Sequence, residues 1–179
     1  MKLLMVFMVN VLFLFSLFSC ATMPPQTSPD TGKINFQAET NDAVDELLNN
    51  CIIKLDPERP IIVASLVSID DIQKSSTFGR MSSEIIASRL SQVGYSVKEL
   101  KMSQNQIYIK KAEGEFVLSR DIQNVATRNN VQAIVVGTYA INKVGSRHIN
   151  ICLKVVDPVS NIIGCSQCYL SKSHEYNWE

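Results

Sequence analysis

Residues 60–67, which read PIIVASLV, decide how the rest of the chain is interpreted. The nearly unbroken run of aliphatic residues is typical of a strand that is covered on both faces, and it predicts a strand over residues 61–67. After a polar loop, residues 77–93 carry apolar side chains at helical spacing and stop before Gly94, a residue type that commonly terminates helices. Residues 95–100 are the next predicted strand. A strand, a helix and a strand within roughly 40 residues predict a right-handed crossover between two parallel strands.

A further helix is predicted upstream of this unit, over residues 40–55. Its apolar residues recur at steps of three and four, so they form one stripe that faces the core. Cys51 lies on this stripe and is expected to be a small buried side chain. Thr40 or Asn41 is the expected N-cap, because short polar side chains accept hydrogen bonds from the first helical turn.

The C-terminal half of the chain predicts a hairpin, a short helix and three long strands. The hairpin turns around Gly114, and Ser119 is the expected N-cap of the short helix. Turn-forming residues at 157–161 join the last two strands, so the three long strands are expected to form an antiparallel meander. The predicted hairpin strands are residues 107–110 and 115–118, and the predicted long strands are residues 131–141, 147–156 and 162–170.

Together these elements predict the fold class. It is a single α/β domain whose mixed β-sheet combines one parallel βαβ unit with a C-terminal antiparallel meander, packed with about three helices. The domain is assigned to residues 38–170, and residues 171–179 form a polar tail.

The N-terminus has the composition of an export signal over residues 1–19. Lys2 supplies a positive charge, and an apolar run follows it. Residues 17–20, which read LFSC, resemble the lipobox of bacterial lipoproteins. That resemblance implies cleavage before Cys20 and acylation of its sulfur, with palmitate among the attached chains. The alternatives are an ordinary secretory signal or an uncleaved anchor, but the apolar run is shorter than the about 20 residues that a spanning helix needs.

The residues that follow Cys20 predict where the domain is held. Residues 20–37 are rich in proline and small polar residues, which is typical of a flexible tether. Ala21 stands where enterobacterial lipoproteins of the inner membrane carry aspartate, so resemblance to that group implies the outer membrane. The domain is expected to face the periplasm, attached to the membrane by lipid on Cys20.

The bulk composition excludes one class of partner. The 179 residues include 17 basic and 17 acidic side chains, and 7% of the residues are aromatic. No basic block is present, and the low aromatic content argues against stacking platforms for single strands, so nucleic-acid binding is not expected. A processed chain of about 160 residues suits one domain with a proper core.

Five segments then match one family pattern in order and spacing. The most specific segment reads GEFVLSRD and covers residues 114–121. The other four are residues 59–65, Gly79-Arg80 with Ser83-Glu84, residues 94–97, and residues 135–139. In these segments the chain resembles the FlgO-type outer-membrane lipoproteins over about residues 40–170. The resemblance implies a non-catalytic accessory lipoprotein of flagellar assembly or motility, with an envelope or flagellar protein as its partner.

Catalytic motifs are missing from the sequence. His148 and His174 are the two histidines, one beside a predicted hairpin end and the other in the polar tail. No nucleophile elbow, phosphate-binding loop or zinc-protease motif is present. The sequence therefore predicts no enzyme activity, no catalytic residues, no metal site and no cofactor.

The cysteines of the last two strands suggest a disulfide. Cys165 and Cys168 have the spacing of a redox motif, but three residues along a strand span roughly 10 Å and point to opposite faces, so these two are not expected to bond. If the turn centres near Val159, Cys152 lies opposite Cys165 or one residue away from it. A Cys152–Cys165 bridge is then the candidate disulfide in an oxidising periplasm, and a one-residue register shift removes it.

Two pairs of charged residues lie near the starts of predicted helices. Arg80 and Glu84 are four residues apart on the second predicted helix, and Arg120 and Asp121 begin the third. One interpretation is solvated surface and capping chemistry, since exposed pairs contribute little stability. The other is a polar patch that binds a protein partner.

The alternative function of the protein is that of a periplasmic ligand-binding or envelope-transport and secretion-associated lipoprotein, which requires a concave apolar pocket.

Overall fold

The computed structural model describes residues 35–72, 76–98, 109–112, 115–118, 120–142 and 148–171, and for residues 109–122 it describes backbone elements only. The predicted signal peptide, Cys20, Ser119 and His174 lie outside the described residues. The helices are α1 (Phe36–Asn49), α2 (Thr77–Gln92) and α3 (Arg120–Arg128). The strands are β1 (Ile61–Val63), β2 (Val67–Ser68), β3 (Val97–Lys98), β4 (Ile109–Ala112), β5 (Glu115–Leu118), β6 (Ala133–Asn142), β7 (His148–Val156) and β8 (Ile163–Ser171).

The strands form one mixed sheet and one hairpin within the described chain. The sheet has the order β3-β1-β6-β7-β8, and β2 also pairs with β6. The pairs β1–β3, β1–β6 and β2–β6 are parallel, whereas β6–β7 and β7–β8 are antiparallel. The separate hairpin consists of β4 and β5. The predicted fold class, with its parallel crossover and its C-terminal meander, is therefore confirmed.

Helices cover both faces of the sheet. One core cluster joins α1 and α2 to residues such as Ile61, and the other joins α3 to residues such as Ile62. Adjacent strand residues point to opposite faces, so this strand is buried on both sides, as its sequence predicts. On β7 the four residues predicted to share a face are all buried: Ile149, Ile151, Leu153 and Val155.

The predicted strand at residues 61–67 is in fact two strands. Between them the N–H of Leu66 donates to the carbonyl oxygen of Gly79 at 3.2 Å, instead of continuing the sheet. A Cβ at Gly79 would overlap the Leu66 carbonyl oxygen, so only glycine permits this approach of α2. The interruption between β1 and β2 is therefore the point at which the first turn of α2 packs against the chain.

The start of α1 differs from the sequence prediction. Asn35 is the N-cap, since its side chain accepts from the N–H groups of Gln37 and Ala38, and the helix begins within the last residues of the predicted tether. Thr40 is instead a buried residue inside the helix, and its hydroxyl donates to the Phe36 carbonyl oxygen at 2.8 Å.

The predicted end of this helix, at residue 55, was also wrong. The helix ends at Asn49, and the following residues bend towards β8. Ile52, expected on the buried stripe, is 89% exposed. Ile53 packs against Gly164 instead, where a Cβ would collide with its side chain.

The second helix agrees closely with its prediction. Ser76 caps α2, since its hydroxyl accepts from the Gly79 N–H at 2.9 Å. Gly94 follows the helix with a φ of 95°, a conformation that glycine adopts without strain. Met81 and Val93 belong to the apolar side chains at helical spacing that predict a buried face, but both are exposed, and Ser82 and Ser83 are buried instead.

Candidate protein-contact surface

The last strand, β8, lies at one edge of the sheet. It pairs with β7 on one side, and no strand among the described residues pairs with its other side. The strand is nine residues long and contains no charged residue and no proline. Because the backbone groups on the outer side of an edge strand lack sheet partners, β8 offers a row of hydrogen-bonding groups.

Helix α1 runs antiparallel to β8 across one face of the sheet. Three contacts show this direction: the Cys51–Cys165 disulfide, the Gln167 amide donating to Glu46 at 2.5 Å, and the Thr40 and Tyr169 hydroxyls 2.9 Å apart. Cys165, Gln167 and Tyr169 of β8 therefore face α1, whereas Ile163, before the register shift, lies opposite Val156 on the other face. Helix α2 contacts β1 and β3 further across the sheet, so the outer side of α1 lies towards the β8 edge.

That outer side of α1 is acidic. Glu39, Asp42 and Glu46 recur at steps of three and four, so they form one row along the helix. We call these three residues the acidic row. Asp42 and Glu46 are exposed, and α1 contains no lysine or arginine.

A fourth carboxylate of α1 is neutralised by α2. The guanidinium of Arg89 donates from Nε to Oδ1 of Asp45 at 2.8 Å and from Nη2 to Oδ2 at 2.5 Å. This bidentate ion pair joins the two helices and raises the pKa of Arg89. Asp42 of the acidic row also contributes to the raised pKa of Arg89 by its charge, whereas Glu46 and Glu39 interact with residues of β8.

Tyr169 links the acidic row to the strand. Burial raises the pKa of its phenol to about 12, the hydrogen bond with Thr40 acts in the opposite direction, and the charge of Glu39 adds to the increase. One carboxylate oxygen of Glu39 is itself buried and has no hydrogen-bond partner among the described residues. The N-terminal half of α1 thus places the partly buried Glu39 carboxylate beside β8, a strand without charged residues.

The disulfides differ from the predicted bridge. Cys152 is bonded to Cys168, with the two Cα atoms 4.0 Å apart, and Cys165 is bonded to Cys51. The predicted Cys152–Cys165 bridge is wrong because Cys152 lies directly opposite Cys168, whereas Cys165 lies opposite Val155. Cys51 packs against the core as predicted, but the prediction missed its disulfide with Cys165, because the chain after α1 bends towards β8. The prediction that Cys165 and Cys168 do not bond with each other is confirmed, since they lie on opposite faces of β8.

The predicted polar patch is divided between two helices. Arg80 donates to the Thr77 hydroxyl at 3.2 Å, and Glu84 is exposed on the same helix. Arg120 and Asp121 begin α3, and their side chains lie outside the described structure. Because α2 and α3 cover opposite faces of the sheet, the two charged pairs are not on one face.

The described residues offer few other sites. They contain no group of three or more histidine, cysteine, aspartate or glutamate side chains placed to hold a metal ion. No helix within them has the length and apolar character needed to cross a membrane. His148 is the half-buried first residue of β7 and lies opposite Asn142.

Several residues of this surface escaped the sequence analysis. Thr40 was assigned to capping, and Gln167 and Tyr169 were not singled out at all. Strand geometry alone places Cys165, Gln167 and Tyr169 on one face, because residues two apart in a strand share a face, and the residue types of 163–171 do not themselves alternate between apolar and polar. Nothing in the sequence indicated that α1 would lie above that face.

The fold and surface are those of a small α/β domain with an open sheet edge, and comparison with known proteins places it in a family. The chain belongs to the FlgO protein family, which matches residues 41–175. No curated protein sequence is similar to it at a significant level.

The fold is similar to solved domains of low sequence identity. The C-terminal domain of LpoB from Salmonella enterica gives a TM-score of 0.56 at 10% identity, covering 76% of this chain and 98% of that domain. The corresponding domain from Escherichia coli gives 0.53 at 10% identity, covering 75% and 96%. The NMR structure of E. coli LpoB gives 0.51 at 11% identity, covering 86% and 77%.

Proposed function

We propose that the protein is a non-catalytic accessory lipoprotein of flagellar assembly or motility, anchored to the outer membrane and acting on periplasmic partners by protein contact. Membership of the FlgO family carries this proposal, since the match covers most of the chain. The similarity to the LpoB C-terminal domains concerns the fold alone and is compatible with this proposal.

The anchor forms part of the proposal. Residues 1–19 act as a signal peptide, Cys20 receives lipid, and the residues between Cys20 and the N-cap Asn35 link the lipid to the domain. Two or more acyl chains give stable membrane attachment, because each buried methylene contributes about 0.8 kcal/mol. Attachment confines the domain near membrane-embedded partners and raises their effective concentration.

The test combines a deletion strain with a Cys20→Ser variant. Deletion is expected to impair swimming, and the wild-type gene is expected to restore it. The Cys20→Ser variant should take up no labelled palmitate, leave the outer-membrane fraction and fail to restore swimming. Ser19→Ala is the matched control, because it keeps a small residue before the cysteine and should behave like the wild type.

Two results would contradict the proposal separately. Normal swimming of the deletion strain would contradict the flagellar role. Palmitate uptake and membrane fractionation that are unchanged in the Cys20→Ser variant would contradict the anchor.

A further inference from the structure

We propose that the outer edge of β8 binds an extended segment of a protein partner as an additional strand, and that the side chains of this segment facing α1 are basic. The inference rests on the proposed function in one respect, namely that the protein acts through a protein partner. It adds the site and the chemistry of the partner.

The register of the sheet shows which backbone groups are available. The Cα distance of 4.0 Å between Cys152 and Cys168 is that of a non-hydrogen-bonded antiparallel pair. In such a ladder, Ser166, Cys168 and Leu170 direct their N–H and C=O groups away from β7. The Cys168 carbonyl agrees with this, since it accepts from the neighbouring Gln167 side chain at 3.4 Å.

This edge lacks the features that usually prevent pairing. Edge strands are commonly short, or carry charged residues or proline, and β8 is long and has neither. Its one irregularity is the register shift opposite Val155 and Val156, at the very start of the strand. The remaining residues form a regular template for another strand.

The charges beside the edge determine the kind of strand that fits. Two residues of the acidic row interact with β8: Glu46 accepts a hydrogen bond from Gln167, and the charge of Glu39 raises the pKa of Tyr169. Asp42 lies between them along the helix. In an added strand every second side chain would point to the face that carries α1 and would lie beside these carboxylates. Lysine or arginine at those positions would pair with them, whereas acidic residues would be repelled.

The same charges argue against a second copy of this chain. Two β8 strands paired about a two-fold axis would bring two α1 helices together, and each would contribute an acidic row. On the opposite face of the edge, β8 itself carries no charge: Ile163 and Leu170 are about half exposed there, beside the Cys152–Cys168 disulfide. Lys154 lies on this face one strand further in, opposite Ser166, and its charge favours apolar rather than basic residues of the partner on this side. A partner segment that alternates basic and apolar residues therefore matches both faces.

A blocked heptapeptide of alternating lysine and valine, KVKVKVK, is the probe. Hydrogen exchange of the full-length oxidised lipoprotein in detergent is followed by mass spectrometry, with the glutamate analogue EVEVEVE as the control peptide. We expect the lysine peptide to slow exchange of residues 163–171 and to leave α2 unchanged. The glutamate peptide should leave β8 exchange unchanged.

Two variants test the two parts of the inference. Ser166→Pro removes an outward N–H and adds a ring at the edge, so peptide protection should disappear. Asp42→Asn with Glu46→Gln should weaken peptide binding about tenfold at low salt, which corresponds to about 1.4 kcal/mol. Neutralising two exposed acids elsewhere, by Glu58→Gln with Asp70→Asn, is the matched control and should change affinity far less.

Several outcomes would overturn the inference. They are equal protection by both peptides, protection that rises with protein concentration in the absence of peptide, and unchanged affinity of the Asp42→Asn, Glu46→Gln variant. The last measurement also decides the matter if Ser166→Pro fails to fold. In cells, a folded Ser166→Pro variant that restores swimming to a deletion strain would contradict the edge site, while a deletion strain that swims normally would contradict the proposed function itself.

Discussion

At the scale of single residues, Tyr169 combines burial, a hydrogen bond and a nearby charge. Its hydroxyl lies 2.9 Å from that of Thr40, and its ring packs against the core beneath α1. Burial, with a smaller contribution from Glu39, raises its pKa to about 12. Ionisation of this phenol would place a charge in an apolar setting beside a carboxylate.

The raised pKa predicts a loss of stability in alkaline solution. Because the pKa is higher in the folded than in the unfolded chain, the contribution of Tyr169 is fully present below pH about 10 and is lost as pH rises towards 12. At pH 11 the loss should be about 1 kcal/mol relative to pH 8. Urea unfolding at both pH values checks this. Tyr169→Phe should show a smaller decrease over the same range, and an equal decrease would contradict the assignment.

Gly79 is the second residue whose identity has a direct physical reason. It lies in the first turn of α2, where its backbone touches the Leu66 carbonyl. Gly79 belongs to one of the segments in which the sequence resembles the FlgO family, and its contact with Leu66 is a physical reason for glycine at this position.

We predict that Gly79→Ala destabilises the protein by about 1–3 kcal/mol, the usual cost of overpacking. Alanine has the higher helix propensity by about 1 kcal/mol, so propensity alone would give the opposite sign. The backbone oxygen of Leu66 cannot move aside like a flexible side chain. We therefore expect the cost of the steric overlap to exceed the gain in helix propensity. Ser91→Ala, at an exposed position in the same helix, is the control for urea unfolding. Increased stability of Gly79→Ala would show that α2 shifts freely.

At the scale of elements, periodicity predicted most of the fold. The alternation of apolar residues in β7 and the helical spacing of α2 each arise from one strongly amphipathic or buried segment, and both were located within one residue at their ends. The ends of α1 were missed because Asn35 is a better cap than Thr40, and because tertiary contacts divert the chain at Cys51. Tertiary contacts of this kind produce no local sequence pattern from which the end of a helix could be predicted.

The candidate site was harder to predict than the fold. The register of β7 and β8 depends on a bulge near Val156, and a shift of this kind changes which cysteines face each other. The edge position of β8 depends on the order of all strands. The acidic row is visible in the sequence, but its proposed role in partner binding depends on its position beside β8, which the sequence does not show.

At the scale of the whole molecule, the two disulfides differ in how much chain they close. Cys51–Cys165 spans 114 residues and joins the beginning of the domain to its end, whereas Cys152–Cys168 spans 16 residues within one hairpin. The chain-entropy model assigns more stabilisation to the longer loop.

We therefore predict an order of stability for two double variants. Cys51→Ala with Cys165→Ala should lower the free energy of unfolding by about 5 kcal/mol, and Cys152→Ala with Cys168→Ala by about 3 kcal/mol. Urea unfolding of oxidised protein measures both, with the reduced wild type as a reference that should be less stable than either. A larger loss for the short loop would contradict the entropic explanation.

The antiparallel arrangement of α1 on β8 also has a mechanical consequence. A pulling force that enters before Asn35 loads the helix at the end where Thr40 and Tyr169 meet, and it peels the helix towards Cys51. The Cys51–Cys165 bond stops the peeling there, after the unravelled helix has lengthened by roughly 25 Å. The oxidised domain would thus yield by a limited extension under load while its sheet stays intact.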